Sequence, residues 1–280
     1  MAVDDRPLWH YVLTMAIPLK ADARARPSAA TPAGTLSSYR EFAPSDSRTA
    51  AVIACTWEGH AGWAHSLRLL PDGCVDLVWD GASLVAFGPA PVALRSPLRA
   101  ESRNVGLRLA CGTAGAILGL PIDGLRGRAR ALRDAWGPRA RQGEAELARA
   151  SGPAEQRAAL ERLVIDRLDD GHRPHPIIVE AAGRLTARTA SVADVAEASG
   201  LATRELHRRF VHHVGYGPKA LHRVLRFGGF IRRLAAVASG KVTLGSLAVD
   251  LGYADQAHLC RECRRIAGSS PGALLRTWRR

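Results

Sequence analysis

LAVDLGYADQAHLCRECRRIAGSSPGALL, residues 247–275, decides how the C-terminal third of the chain folds. Gly252 supplies a turn and Asp255 an N-cap. Leu259, Cys263 and Ile266 then recur at i, i+4, i+7, which predicts a helix to about Ala267. Gln256, Cys260, Arg261, Arg264 and Arg265 occupy its other faces. Thr243 to Asp250 reads as a short helix before the turn, and Pro271 opens a last helix. A helix, a tight turn and a basic helix form the helix-turn-helix arrangement, whose second helix enters the DNA major groove. Cys260 and Cys263 have the spacing of a metal or redox dithiol. Cys263, however, falls on the apolar stripe and Cys260 about 60° or more away, and neither a second cysteine pair nor a nearby HxxxH completes a zinc site. The reading is a small core residue and a more exposed neighbour, with no metal or cofactor expected.

About fifty residues upstream the pattern recurs. Ser191 is the expected N-cap of a helix ended by Gly200, and Thr203 the expected cap of a second helix running to His213. Leu206 and Phe210 face inward on that helix, leaving Arg204, His207, Arg208 and Val211 outside. Arg208 leads as a base contact, because an arginine can read guanine through two hydrogen bonds worth about 1–3 kcal/mol of discrimination. Arg209, Lys219, Arg264 and Arg265 are the candidates for phosphate contacts. Between the copies, Pro218 opens one long predicted helix over 218–239, roughly 33 Å at 1.5 Å per residue. That is close to one turn of duplex, about 34–36 Å.

Residues 36–111 carry short apolar runs broken by turn formers, including SLRLLPDGCVDLVWDG (66–81), where alternation places Cys74, Asp76 and Val78 opposite Val75, Leu77 and Trp79. Thr113 to Leu120 reads as a short helix stopped by Pro121, and 143–168 as a helix pair around Ser-Gly-Pro at 151–153. The two prolines of DDGHRPHP (169–176) mark a boundary. The expected class is α+β with two domains: an N-terminal small β-sandwich or barrel with flanking helices, and a C-terminal all-α double helix-turn-helix. The expected divisions are a flexible tail (1–35, with Met15 an alternative start), an effector-sensing domain (36–137), a helical connector (138–174) and a DNA-binding domain (175–280). The two motifs fall at about 191–213 and 243–267.

Composition supports this division. The 280 residues carry a net charge of +13, and 172–280 hold 18 Lys and Arg against 7 Asp and Glu, leaving the remainder close to neutral. A basic domain joined to a nearly neutral one points to a polyanionic partner. Five cysteines, an odd number, fit reduced thiols better than a disulfide framework. No apolar run reaches the length of a membrane span, and Asp4 and Asp5 precede the apolar stretch near the start, so a soluble cytoplasmic protein is expected.

GLATRELHRRFVHHVGYGPKAL (200–221) and the opening stretch together resemble the two helix-turn-helix motifs of AraC/XylS-type transcriptional regulators. Gly252, Tyr253, Asp255, His258, Arg261, Gly268, Ser270 and Pro271 match the second motif. By position, the resemblance implies base-reading roles for Arg204, His207 and Arg208, and for Gln256, Ala257, Cys260 and Arg261. Leu259 and Cys263 stand where the family usually has Phe, which implies a smaller core, and Ala257 offers only a methyl contact. The resemblance implies transcription control at promoter DNA under a small-molecule effector. SLRLLPDGCVDLVW (66–79) and GLRLACGTAGAILGLPIDGLRGRARALRDAWG (106–137) are similar to a sensor domain fused to such regulators. The expected partners are double-stranded promoter DNA, RNA polymerase and an unidentified effector, without a membrane; a homodimer stays open.

An enzyme is not expected. The N-terminal half shows no P-loop, nucleophile elbow or HExxH, and Asp72 is explained by its Pro-Asp-Gly turn. Trp57, Cys74, Trp79 and Phe87 are the candidate lining of an effector pocket. The alternatives are an enzymatic N-terminal domain targeted to DNA by its basic partner, and a thiol-based stress sensor using Cys55, Cys74 or Cys111.

Overall fold

The computed structural model describes residues 17–18, 38–187 and 190–278; apart from the two-residue strand below, the expected tail lies outside them. Strands Ile17–Pro18 (β1), Ser38–Phe42 (β2), Ile53–Ala61 (β3), His65–Leu69 (β4), Val75–Trp79 (β5), Leu84–Phe87 (β6), Leu94–Leu98 (β7), Ser102–Leu109 (β8) and Ala129–Ala131 (β9) make two antiparallel sheets. The smaller has the order β1-β4-β7 and the larger β2-β3-β8-β5-β6-β9. On β5 the expected alternation holds. Val75, Leu77 and Trp79 enter the core with Leu84, Leu107 and Leu109, while Asp76 lies directly between Arg108 and Phe87 on the other face.

Helices Ala114–Leu118 (α1), Arg133–Trp136 (α2), Pro138–Arg149 (α3) and Pro153–Asp169 (α4) follow. Ile117, Trp136, Ala140, Leu147, Leu160 and Val164 share one apolar core with the large sheet. The helices read from sequence as a connector therefore pack on the β-domain. Their apolar positions had the helical period, but the surface they bury is supplied by strands distant in sequence.

The C-terminal region is all helical: Pro176–Arg184 (α5), Val192–Ala198 (α6), Thr203–Val214 (α7), Pro218–Arg232 (α8), Leu234–Ala238 (α9), Leu244–Asp250 (α10), Gln256–Ala267 (α11) and Pro271–Trp278 (α12). It has two cores. One gathers Ile178, Ala181, Val195, Leu206, Phe210 and Leu221, and the other gathers Phe227, Phe230, Leu234, Leu247, Tyr253, Leu259 and Cys263. Two details differ from the sequence reading. The rod expected over 218–239 is two helices, because Arg233 leaves helical geometry (ψ 7°) and its N–H bonds to the carbonyl of Phe230, three residues back. Ala202, rather than Thr203, is the N-cap of α7, and no side chain caps that helix.

Among the described residues no helix is long and apolar enough to cross a membrane. The β-domain touches both helical cores: Cys111 packs on the first and Leu70 on the second. Gly73, at φ +88°, lets the Pro-Asp-Gly turn press close to Leu221, where a Cβ would come within 2.7 Å of the leucine Cδ1.

Candidate nucleic-acid interface

In the first motif the Ser191 hydroxyl accepts from Asp194 N at 3.0 Å and fixes the start of α6. Gly200, at φ +64°, turns the chain into α7. Leu206, Phe210 and Val214 bury one side of α7 against Ile178 of α5 and Val195 of α6. Arg204, His207 and Arg208 are left exposed on the other side, as the spacing predicted.

Those arginines are not idle. Glu205 accepts from Arg208 Nε and Nη2 at 2.9 and 2.8 Å and from Arg209 Nε at 2.6 Å. These hydrogen bonds hold the Glu205 carboxyl well below its ordinary range, at about 2. Arg209 Nη1 also reaches His175 Nε2 at 3.2 Å. The His207 ring lies over Gly217, where a Cβ would meet Nε2 at 2.5 Å, so this imidazole is tied to the turn that follows α7.

The second motif presents its arginines differently. Asp255 Oδ1 accepts from His258 N at 2.6 Å and caps α11. Leu259, Cys263 and Ile266 are buried, while Gln256, Ala257, Arg261, Arg264 and Arg265 are exposed and Cys260 is half-buried. The Arg261 and Arg264 side chains have no hydrogen-bond or ion-pair partner among the described residues. Lys219 stands exposed at the start of α8.

Sequence reasoning missed Glu262. It is buried, and Arg223 of α8 grips it through Nε and Nη2 at 3.0 and 3.1 Å. The signal was available, since Glu262 sits three residues after Leu259 and four before Ile266, inside the apolar stripe, where a carboxylate needs a cation.

The effector candidates divide between the two faces of the large sheet. Trp79 is core. Trp57 donates from Nε1 to Asp76 Oδ1 at 2.9 Å and so lies on the opposite face, which Phe87 and, by alternation, Cys74 share. Gly106 leaves room for the Trp57 indole, since a Cβ there would fall 2.2 Å from the ring.

At the centre of that face is a residue the sequence reading passed over. Arg108 is 1% exposed and donates from Nη2 to both oxygens of Asp76 at 3.0 and 3.2 Å. Asp72 lies at 3.2 Å from Nε and Glu41 at 3.5 Å from Nη1. Burial alone would pull the guanidinium down, but Asp76 and Asp72 outweigh it and keep Arg108 charged. Burial pushes the Cys55, Cys74 and Cys111 thiols up, the last to about 12, which is the reverse of what a reactive thiolate requires. Among the described residues no three His, Cys, Asp or Glu side chains could hold a metal ion.

The β-domain also holds the last turns of both α7 and α11. Ile122 N donates to His212 O of α7 at 2.8 Å, and Ala93 N donates to Ile266 O of α11 at 2.6 Å. Arg68 Nη1 reaches Ser269 Oγ at 2.5 Å.

Comparison with known proteins finds a separate family match for each half of the chain. Residues 195–277 match a family model described as a helix-turn-helix domain, and residues 40–130 match a domain of unknown function, DUF6597. Among solved structures, ToxT from Vibrio cholerae O395 aligns over 86% of this chain and 97% of its own, with 10% identity and a TM-score of 0.38. Unsaturated fatty acid-bound wild-type ToxT from strain SCE256 aligns over 86% and 94%, with 11% identity and a TM-score of 0.39. No curated protein matches significantly. The chain therefore joins a segment matching DUF6597 to a C-terminal segment matching a helix-turn-helix domain.

Proposed function

We propose that the protein is a sequence-specific transcriptional regulator that reads promoter duplex with α7 and α11 and takes its instruction through the β-domain. One observation carries the reading: two helices of the same kind each bury a Leu-centred stripe and turn a basic, polar face outward. That arrangement suits insertion into two major-groove segments. Arg204, His207 and Arg208 on α7, with Gln256, Ala257, Cys260 and Arg261 on α11, are the assigned base-edge set. Arg209, Lys219, Arg264 and Arg265 flank them toward the phosphates.

The β-domain contacts to both motifs give an effector a route to the DNA-binding half. The sheet face bearing Trp57, Phe87 and Arg108 is the proposed sensing surface. Its buried guanidinium and half-buried indole supply directed polar groups beside the Phe87 ring, the kind of lining a small-molecule site uses. RNA polymerase is the proposed downstream partner. The cytoplasm is the proposed location, where double-stranded DNA and reduced thiols are both available.

Footprinting of the full chain on genomic DNA tests the reading. A recovered motif protected in two segments on one face of the duplex is the expected result. Binding that protects every sequence alike would replace it with a non-specific architectural role. Turnover of a small molecule by the intact chain, abolished by a change on the Arg108 face, would instead support an enzymatic β-domain.

A further inference from the structure

Between α8 and α11 runs a groove of about 460 Å³. Lys219, His222, Arg223 and Arg226 form one wall, and His258, Glu262 and Arg265 form the other. Its four cations face one carboxylate. Arg223 already holds Glu262 through two hydrogen bonds, and Arg265 stands 4.0 Å from the same carboxylate. Arg226 is fixed by its Nη1 bond to Gly252 O at 2.9 Å and by the Tyr253 ring, whose centroid is 4.7 Å from its guanidinium carbon. Its Nε is buried without a hydrogen-bond partner among the described residues, as is His222 Nε2. Ala254 N donates to His258 Nδ1 at 3.3 Å, which leaves the Nε2 proton of the neutral ring for another acceptor. The groove thus concentrates positive charge and unused donors with too few acceptors of its own.

We infer that this groove seats a backbone phosphate of the duplex that α11 reads, which makes it a third point of attachment between the two recognition helices. The assignment rests on the regulator reading above. At about 100° per residue, Arg265 and His258 lie about 40° and 60° round α11 from Arg261. A phosphate in the groove therefore belongs to the strand running beside the bases that Arg261 meets. The other wall is α8, the helix that joins the two motifs, so the seat faces the stretch of backbone between consecutive major-groove segments. An open trough beside a base-reading helix suits a phosphodiester that continues past it in both directions.

The seat is proton-linked. His222 is held neutral by burial and by Arg226, and its pKa is lowered accordingly. The other charged or titratable groups facing it, Lys219, Arg223, His258 and Arg265, add no compensating negative charge, and Glu262 is engaged by Arg223. A phosphate anion entering the groove favours the imidazolium form, so binding takes up a proton and strengthens as pH falls through the imidazole range.

The test uses the full-length chain on its footprinted site, across salt and pH, with Lys219→Ala and His222→Gln. Lys219 is exposed, with no side-chain hydrogen bond or ion pair among the described residues, so Lys219→Ala keeps the test open even if the His222 variant fails to fold. Lys219→Ala should weaken specific and random duplexes alike and lower the salt slope by about 1. Raising salt from about 50 to 200 mM should then cost the variant about threefold less affinity than it costs the wild type. His222→Gln should flatten the gain in affinity between pH 8 and 6. Unchanged salt and pH slopes, with Arg261→Ala still relaxing base preference, would overturn the seat and leave the regulator reading standing. Failure of the wild-type chain to protect any sequence would overturn both. Saturable binding of inorganic phosphate to the DNA-free chain, without effect on DNA affinity at constant ionic strength, would make the groove a free-anion site and overturn the duplex assignment.

Discussion

The two helix-turn-helix motifs share a plan but solve its electrostatics in opposite ways. In the first, Glu205 sits on the outer side of α7 and holds Arg208 and Arg209 before any DNA arrives. In the second, the one acid of α11 is turned inward and spent on Arg223 of α8, which leaves Arg261 and Arg264 unengaged. Moving one glutamate around a helix thus converts an arginine face from restrained to available. The last turn of the restrained helix, at His212 and His213, lies against the β-domain at Ile122 and Gly115, as the last turn of α11 does at Ala93.

Deep cuts to the two cores give the largest contrast. Phe210 and Leu259 are fully buried, one in each core. Phe210→Ala should cost about 3–5 kcal/mol and Leu259→Ala about 2–5 kcal/mol in thermal or urea unfolding. Phe210→Ala should also loosen the seam between α7 and the β-domain, read as faster amide exchange at Ile122, whereas Leu259→Ala should leave that amide unchanged. Equal exchange in both variants would show that the two cores are one cooperative unit.

The next effect is on DNA. Arg261→Ala should lose about 1–3 kcal/mol of discrimination at one base pair, with preference relaxed there. Arg208→Ala should lose less, because the wild-type side chain must first leave Glu205. Glu205→Gln should therefore raise affinity for specific DNA. Titrations in which Arg208→Ala costs more than Arg261→Ala would reverse the assignment of roles.

Much of this contrast was legible in the sequence. The repeated helix, glycine turn and basic helix, the apolar stripes and the arginine faces all follow from periods of 3.6 and from turn residues, which are local properties. What escaped depends on partners far away in the chain. The continuous period of Phe227, Phe230, Ile231 and Leu234 did not reveal that Arg233 breaks the helix, because a single i→i−3 bond leaves the apolar pattern intact. Arg108 reads as an outward residue on an alternating strand, yet it is buried because three carboxylates from other segments close over it. Residue type alone does not tell which face of the sheet each effector candidate occupies. Only strand register could show that Trp79 faces away from Trp57.

A smaller effect separates the two helix starts. Asp255 caps α11 through its side chain, whereas α7 begins at Ala202 without such a bond. Asp255→Ala should cost about 0.5–2 kcal/mol, typically about 1. Thr203→Ala should fall within about 0.5 kcal/mol of wild type, as surface changes away from caps usually do. A full cap-sized loss at Thr203 would mean that its hydroxyl joins the helix start in solution.

The finest distinction is in pH. His213 is partly buried against the β-domain, and burial, then His212, His175 and Arg209, lower its pKa. With the docked pKa below the undocked value of about 6.5, the docked state binds fewer protons. Its contribution to the seam is therefore fully present above pH 6.5 and is lost as pH falls through the docked value. Glu205 shows the same sign at lower pH. Its lowered pKa contributes above the unfolded carboxyl range of about 4.3 and loses that contribution as pH falls toward about 2. Amide exchange at Ile122, taken relative to its intrinsic rate at each pH and followed from pH 7.5 downward, should rise in the wild type before any change at Ala93, whose acceptor on α11 has no histidine beside it in sequence. His213→Gln should remove that early rise. If both amides loosen together in the wild type, the β-domain lets go of its two recognition helices as one, and the first motif holds no separate acid-sensitive contact.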